Sequence, residues 1–158
     1  MYKIIISVVI VIIIFTNGCG QIGTIQKYKF LVKKEVLDSA ISRFYIKHPE
    51  FAPQGKWEEN AEEIRQSANF LKFYFLYYPI PEEMIVFQFS GDSISVAFEK
   101  GCILSISASS RYSKECKCLR FEKESVLDSD EQIKVIARFE TTFLNKLGYK
   151  YERINSWE

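Results

Sequence analysis

Three apolar segments separated by two short turns occupy the middle of the chain. The first turn, GD at 91–92, has the length and residue types of a tight β-hairpin, and the second, EKG at 99–101, ends in glycine as three-residue hairpin loops do. The pattern therefore predicts three consecutive antiparallel strands. Met84–Ser90 is expected to pair with Ser93–Glu99, which in turn pairs with the segment that begins at Cys102.

This register gives the three strands one apolar face and one small polar face. Phe87 is expected opposite Val96, and Val96 opposite Leu104. The other face would carry Gln88, Ser90, Ser93, Ser95, Ala97, Ser105, Ser107 and Ser109. Such a division is typical of an antiparallel sheet covered by helices on one face and facing solvent or a partner on the other. The serines are interpreted as strand surface, because no histidine base or Gly-x-Ser-x-Gly turn accompanies them.

Helical spacing of apolar residues flanks this sheet on both sides in the sequence. An N-terminal helix is predicted over Leu31–Lys47, ending before Pro49, and a C-terminal helix is predicted from Ser129 to Gly148, with a capping box that pairs Ser129 with Gln132. A short acidic helix around Trp57 is expected to expose its glutamates, and the aromatic segment from Phe70 to Tyr78 is interpreted as a strand. The fold class predicted is α+β: an antiparallel sheet of about four to five strands with the N-terminal and C-terminal helices packed on one face.

The N-terminal segment has the layout of a secretory signal. Lys3 precedes a run of twelve residues, Ile4–Phe15, in which every residue except Ser7 is apolar, and small or polar residues follow up to Gly18 and Cys19. As a helix the apolar run would rise about 18 Å, against roughly 30 Å for a hydrocarbon core. The end of this segment resembles the lipobox of bacterial lipoprotein signals. That resemblance implies a mature chain that begins at Cys19 with a diacylglyceryl thioether and an acylated amine, while an uncleaved anchor and a secreted protein with a free Cys19 are the alternatives.

The predicted organisation is a signal peptide over residues 1–18, a lipidated cysteine and tether over 19–30, and a single α+β domain over 31–158. All three interpretations of Cys19 put the domain outside the cytoplasm. The lipoprotein interpretation places it in the bacterial cell envelope, anchored to a membrane and facing the periplasm or the exterior. The chain has 21 Lys and Arg against 20 Asp and Glu, so the loss of Lys3 with the signal leaves equal numbers. A balanced charge argues against nucleic acid as a partner, because phosphate binding requires a basic excess.

Three cysteines remain once Cys19 is assigned to the lipid. A bond from Cys102 to Cys116 or Cys118 would close a loop of about fifteen residues, whereas a Cys116–Cys118 bridge would be strained and redox-labile. A disulfide or redox role is therefore the sharpest chemical hypothesis for these three residues. No metal site is predicted, since zinc requires four ligands and the chain has a single, distant histidine. No cofactor is predicted.

Two functions are compatible with these features. The first is a membrane-anchored envelope lipoprotein whose domain is a non-enzymatic binding or structural module with a protein partner in the envelope. The second is an immunity or inhibitor lipoprotein that neutralises an incoming toxin. An enzyme is not predicted, because the sequence contains no recognisable catalytic constellation and no phosphate-binding glycine loop.

Overall fold

The computed structural model describes residues 24–67, 71–90, 101–113, 118–122 and 127–154. These residues form six strands and three principal helices. In chain order they are β1 Gln26–Phe30, α1 Lys34–Lys47, α2 Lys56–Ser67, β2 Phe73–Pro79, β3 Glu82–Ser90, β4 Cys102–Ser113, β5 Cys118–Glu122, α3 Ser129–Phe139 and β6 Tyr151–Ile154. A 3₁₀ turn, Pro49–Phe51, follows α1, and α3 continues through a π-helical turn, Glu140–Leu144, and a last turn, Asn145–Leu147.

The strands form one antiparallel sheet in the order β2-β3-β4-β1-β6, and β5 also pairs with β4. Because β3 occupies one edge of β4 from Ile103 to Arg111, β1 and β5 must share the other edge. They do so end to end: β1 covers Cys102 to Ile106 and β5 covers Ser109 to Ser113. The predicted α+β class with an antiparallel sheet is confirmed.

The partners of β3 differ from those predicted. Phe87 lies between Tyr74 of β2 and Ile106 of β4, so both edges of β3 are taken at this position. The predicted pair of Phe87 with Val96 is therefore wrong. The predicted partner strand, Ser93–Glu99, lies outside the described residues. The GD turn predicted a hairpin between β3 and the segment that directly follows it. Instead, β3 pairs on one edge with β2, which directly precedes it, and on the other edge with β4, which begins at Cys102.

β1 corrects the predicted tether, which extended to Phe30. Gln26–Phe30 is a strand inserted between β4 and β6. Tyr28 and Phe30 are fully buried, and Lys27 and Lys29 alternate with them. This alternation is the period-two pattern of a strand, which makes β1 part of the domain core.

The ends of the helices differ slightly from the predictions. α1 begins at Lys34 instead of Leu31, and its end is marked by the His48 backbone N–H, which donates to the Phe44 carbonyl at 2.8 Å. α3 is capped by Asp128, whose carboxylate accepts from the Glu131 backbone N–H at 2.8 Å. The predicted N-cap, Ser129, is one position too late. Asp is as good a cap as Ser, so the helix is capped equally well one position earlier.

α1 and α3 pack on one face of the sheet, called here the front face, as predicted. The buried residues of this core come from both helices and from every strand of the main order except β6. They are Ile25, Tyr28, Phe30, Leu37, Ala40, Ile41, Phe44, Tyr74, Leu76, Tyr78, Ile85, Phe87, Cys102, Leu104, Ile106, Leu127, Val135, Phe139, Phe143, Leu144 and Leu147. Phe87 and Leu104 therefore share a face even though the predicted register between them is wrong.

α2 packs on the opposite face, called here the back face. Trp57 and Ala61 are buried against Met84, Val86 and Ala108. The indole N–H of Trp57 also donates to Glu82 Oε1 at 2.7 Å. The predicted solvated face of the sheet is thus covered by α2 over part of its area, because the aromatic residue that precedes the glutamates turns inward. The glutamates themselves, Glu58, Glu59, Glu62 and Glu63, are exposed as predicted.

Among the helices of the described ranges, none has both the length and the apolar content needed to cross a bilayer.

Candidate functional site

The backbone register separates Cys102 from Cys118. Cys102 begins β4, whereas Cys118 lies opposite Ser113 at the far end of the same strand. The eleven positions between Cys102 and Ser113 correspond to roughly 35 Å of extended chain. A disulfide requires Cα atoms no more than about 7 Å apart, so the proposed bond from Cys102 to Cys118 cannot form. The proposed bond from Cys102 to Cys116 stays a prediction, because Cys116 lies outside the described residues.

Cys102 has the properties of a structural thiol. Its side chain is buried, it is a free thiol, and burial, assisted by the charge of Glu35, raises its pKa from 9.0 to about 11. A thiol that stays protonated at neutral pH is a poor nucleophile. Cys116 lies outside the described residues, and Cys118 is described by its backbone alone. A Cys116–Cys118 bridge therefore stays a prediction. Cys19 also lies outside the described ranges.

A β-bulge divides the predicted serine row between the two faces of the sheet. Val86 lies opposite Ala108 and Phe87 opposite Ile106, which leaves Ser107 as an extra residue of β4. An extra residue inverts the alternation of the side chains that follow it. Ser105 consequently lies on the back face, where its hydroxyl contacts that of Ser90, while Ser109 lies on the front face.

The serines of β4 are also buried, contrary to the prediction of a strand surface. Ser105, Ser107, Ser109 and Ser110 are each no more than 3% exposed. A serine without access to solvent cannot receive a substrate, so burial argues against nucleophilic chemistry at this row. The Ser110 hydroxyl and the Gln88 amide oxygen are buried and without a hydrogen-bond partner in the described part of the chain.

Glu83 is the centre of a buried polar cluster on the front face. Its side chain is fully buried, and its two oxygens have different partners. Oε1 accepts from the Ser109 hydroxyl at 2.6 Å, and Oε2 pairs with the Arg138 guanidinium of α3. The Tyr78 hydroxyl hydrogen-bonds to Thr142 Oγ1 at 2.6 Å, and the Arg138 guanidinium lies 5.3 Å from the Tyr78 ring centre. Together these residues connect α3 to the start of β3.

The geometry of this cluster favours stabilisation of the fold. A carboxylate whose two oxygens accept charge-assisted and hydroxyl hydrogen bonds is a well-solvated anion inside the protein. The Arg138 side chain is 24% exposed, whereas that of Glu83 has no exposure to solvent. The arrangement fixes the position of α3 on the sheet.

A second cluster joins the π-helical turn to β6. Arg153 donates two hydrogen bonds of 2.6 Å to the carboxylate of Glu140. The Tyr28 hydroxyl is buried beside this carboxylate without a well-formed hydrogen bond, and burial first, then the Glu140 charge, raises the pKa of Tyr28. Tyr151 packs edge-on against Tyr28, with ring centres 5.5 Å apart. π-helical turns often mark functional sites, and this one brings Glu140 into reach of the edge strand.

A third cluster lies between α1 and β2. Asp38 accepts from the Tyr74 hydroxyl at 2.6 Å and from Lys72 Nζ at 2.9 Å. Burial would raise the pKa of Asp38, but the hydrogen bonds from Lys72 and Tyr74 outweigh it, so this pKa lies below its ordinary value. Lys72 is largely exposed. The cluster is a surface ion pair with a buried tyrosine anchor.

The sequence contained signals for the Glu83 cluster that the prediction missed. Glu83 directly precedes the apolar run MIVF of β3, and Arg138 interrupts the apolar stripe of α3 next to Phe139. A charged residue within each of two buried segments indicates an internal ion pair, because buried charges require partners. The sequence prediction named only the cysteines, none of which joins these clusters among the described side chains.

No group of three or more His, Cys, Asp or Glu side chains in the described ranges could hold a metal ion. Comparisons of the chain with protein-family models, with curated proteins and with solved structures find no match.

Proposed function

We propose that this chain is a lipoprotein of the bacterial cell envelope, anchored through a lipid on Cys19. Its domain acts as a non-enzymatic binding or structural module for a protein partner. The lipobox-like Gly18-Cys19 after the apolar run supports the anchor. Two or three acyl chains exceed the single-chain threshold for stable membrane attachment.

The lipobox-like segment is the observation that carries the proposed anchor, and the position of β1 determines how closely that anchor would hold the domain. This strand begins at Gln26, seven positions after Cys19, and it lies inside the sheet between β4 and β6. Seven extended residues span at most about 25 Å. A lipid on Cys19 would therefore hold the core of the sheet next to the membrane. A domain held so closely suits contact with other molecules of the envelope.

The polar clusters support a binding or structural role over catalysis. The carboxylates of Glu83, Glu140 and Asp38 each pair with a cationic side chain. Glu83 and Asp38 also accept a hydrogen bond from a hydroxyl group, and Glu140 accepts two hydrogen bonds from its arginine. Groups held in this way connect helices and strands to one another. A general base would instead need free lone pairs and access to a substrate.

Metabolic labelling with a radioactive fatty acid tests the anchor. We expect the chain to incorporate the label and Cys19→Ser to lose it. Cys102→Ser is the matched control and is expected to keep the label, because Cys102 is buried in the domain. Label that persists in Cys19→Ser would contradict the proposal.

A second experiment tests the module. The soluble fragment 20–158 would serve as bait in an envelope extract, and a partner of a binding module is expected to be retained in stoichiometric amount. If the fragment retains no protein and instead converts a small molecule of the extract, an enzyme is favoured over a binding module.

A further inference from the structure

We propose that the end of the sheet that carries the β2–β3 turn lies against the membrane, with Ile80 in the lipid headgroup region. This orientation rests on the proposed lipid anchor at Cys19. Three observations carry it: the direction of the chain before β1, the length of that chain, and the apolar side chains exposed at the turn.

β1 enters the sheet from the end that carries the β2–β3 turn. β1 is antiparallel to β4 with Gln26 opposite Ile106, so the amino end of β1 points in the direction of higher numbers in β4. Ile25 continues this course, because its backbone N–H donates to the Ile106 carbonyl at 2.9 Å. β3 begins at the same end of the sheet, where Glu83 lies opposite Arg111.

The length of the chain agrees with this direction. From Phe87, which lies opposite Ile106, to Glu82 next to the turn, β3 advances five positions, which corresponds to about 17 Å along the sheet. The seven positions from Cys19 to Gln26 can extend to at most about 25 Å. A lipid on Cys19 can therefore reach the level of the turn but little beyond it. A bilayer that holds this lipid then lies within a few ångströms of the turn.

Exposed apolar side chains stand at this end of the domain. Ile80, in the turn, is 90% exposed, and Ile46, in the last turn of α1, is 80% exposed. Aromatic packing connects the end of α1 to the end of β2. The ring centre of Phe51 lies 5.6 Å from that of Phe44 in α1 and 5.7 Å from that of Tyr78 in β2. Branched apolar side chains at the tip of a domain suit shallow insertion of about 5–10 Å into the interfacial region.

The opposite end of the sheet provides the control position. Leu31 follows β1 at that end and is 76% exposed, so it resembles Ile80 in chemistry and exposure. A membrane at the Leu31 end would require the chain between Cys19 and Ile25 to reverse its direction. The two residues therefore distinguish the two orientations.

Tryptophan quenching by brominated lipids tests the orientation. The acylated full chain would be reconstituted in phosphatidylcholine–phosphatidylglycerol vesicles with and without bromine on the acyl chains. The parent chain, with its two tryptophans, provides the background emission. We expect Ile80→Trp and Ile46→Trp to lose their added emission in the brominated vesicles, and Leu31→Trp to keep it. Added emission lost at Leu31→Trp, or kept at both Ile80→Trp and Ile46→Trp, would overturn the orientation.

Flotation of the same samples separates this inference from the proposed function. A chain that carries the lipid and floats with the vesicles, but whose Ile80→Trp variant is not quenched, contradicts the orientation alone. The variant Cys19→Ser is expected to lack the lipid and not to float. A parent chain that behaves in the same way contradicts the anchor itself.

Discussion

Removal of the arginine from the buried ion pair provides the sharpest test of the front-face cluster. Arg138→Met removes the guanidinium that pairs with the fully buried carboxylate of Glu83. Breaking one partner of a buried pair typically costs about 3–5 kcal/mol, which is a large fraction of the roughly 5–15 kcal/mol of a whole domain. With a urea m-value of about 2 kcal/mol/M, the unfolding midpoint of fragment 20–158 is expected to fall by about 2 M.

Two further variants identify the cause of that loss. The double variant Glu83→Gln with Arg138→Met contains no buried charge and keeps an acceptor for Ser109, so we expect it to regain about 2 kcal/mol relative to Arg138→Met. Arg43→Met, on the exposed side of α1, is the matched control and is expected to stay within about 0.5 kcal/mol of the parent. Equal losses in Arg138→Met and Arg43→Met, or strictly additive losses in the double variant, would refute the reasoning.

Trp57→Ala is expected to cost about 3–5 kcal/mol in urea unfolding, because it empties the back-face core, whereas Glu58→Ala on the exposed side of α2 should change little. A small loss in Trp57→Ala would mean that α2 contributes little to the fold. For Cys102, the pKa raised to about 11 means that the unfolded thiol ionises first, so the free energy of unfolding should fall as pH rises from about 9 toward 11. Cys102→Ala should lack this component, and an identical pH profile in both proteins would contradict it.

The sequence predicted those parts of the fold that depend on local periodicity. The spacing of Leu37, Ile41 and Phe44 indicated α1, and that of Val135 and Phe139 indicated α3, because one buried stripe identifies a helix whatever it packs against. The sequence also predicted correctly that the glutamates of α2 are exposed to solvent. The α+β class then followed from the helices and the alternating strands.

The errors concern contacts between distant parts of the chain. The GD turn indicated a hairpin, but the register of β3 is set by β2 and β4, and no local pattern reveals which strand will occupy an edge. Ser107 is an extra residue that inverts the faces of β4, and nothing in the serine-rich sequence identifies which serine forms the bulge. β1 was assigned to a tether because Lys27 and Lys29 were interpreted together with Gly20 and Gly23 as one polar, glycine-containing segment. The pairing of Glu83 with Arg138 joins residues 55 positions apart.

The location of β1 has a consequence for how such a chain is delivered across a membrane. The strands that pair with β1 are synthesised long after it: Gln26 pairs with Ile106, and Tyr28 pairs with Arg153. Contacts of such long sequence separation form slowly, since the loop between them must close first. If the chain is exported amino end first, as proposed, it would thus begin to cross the membrane before its sheet can be completed. The order of the strands delays completion of the sheet until β6 has been synthesised.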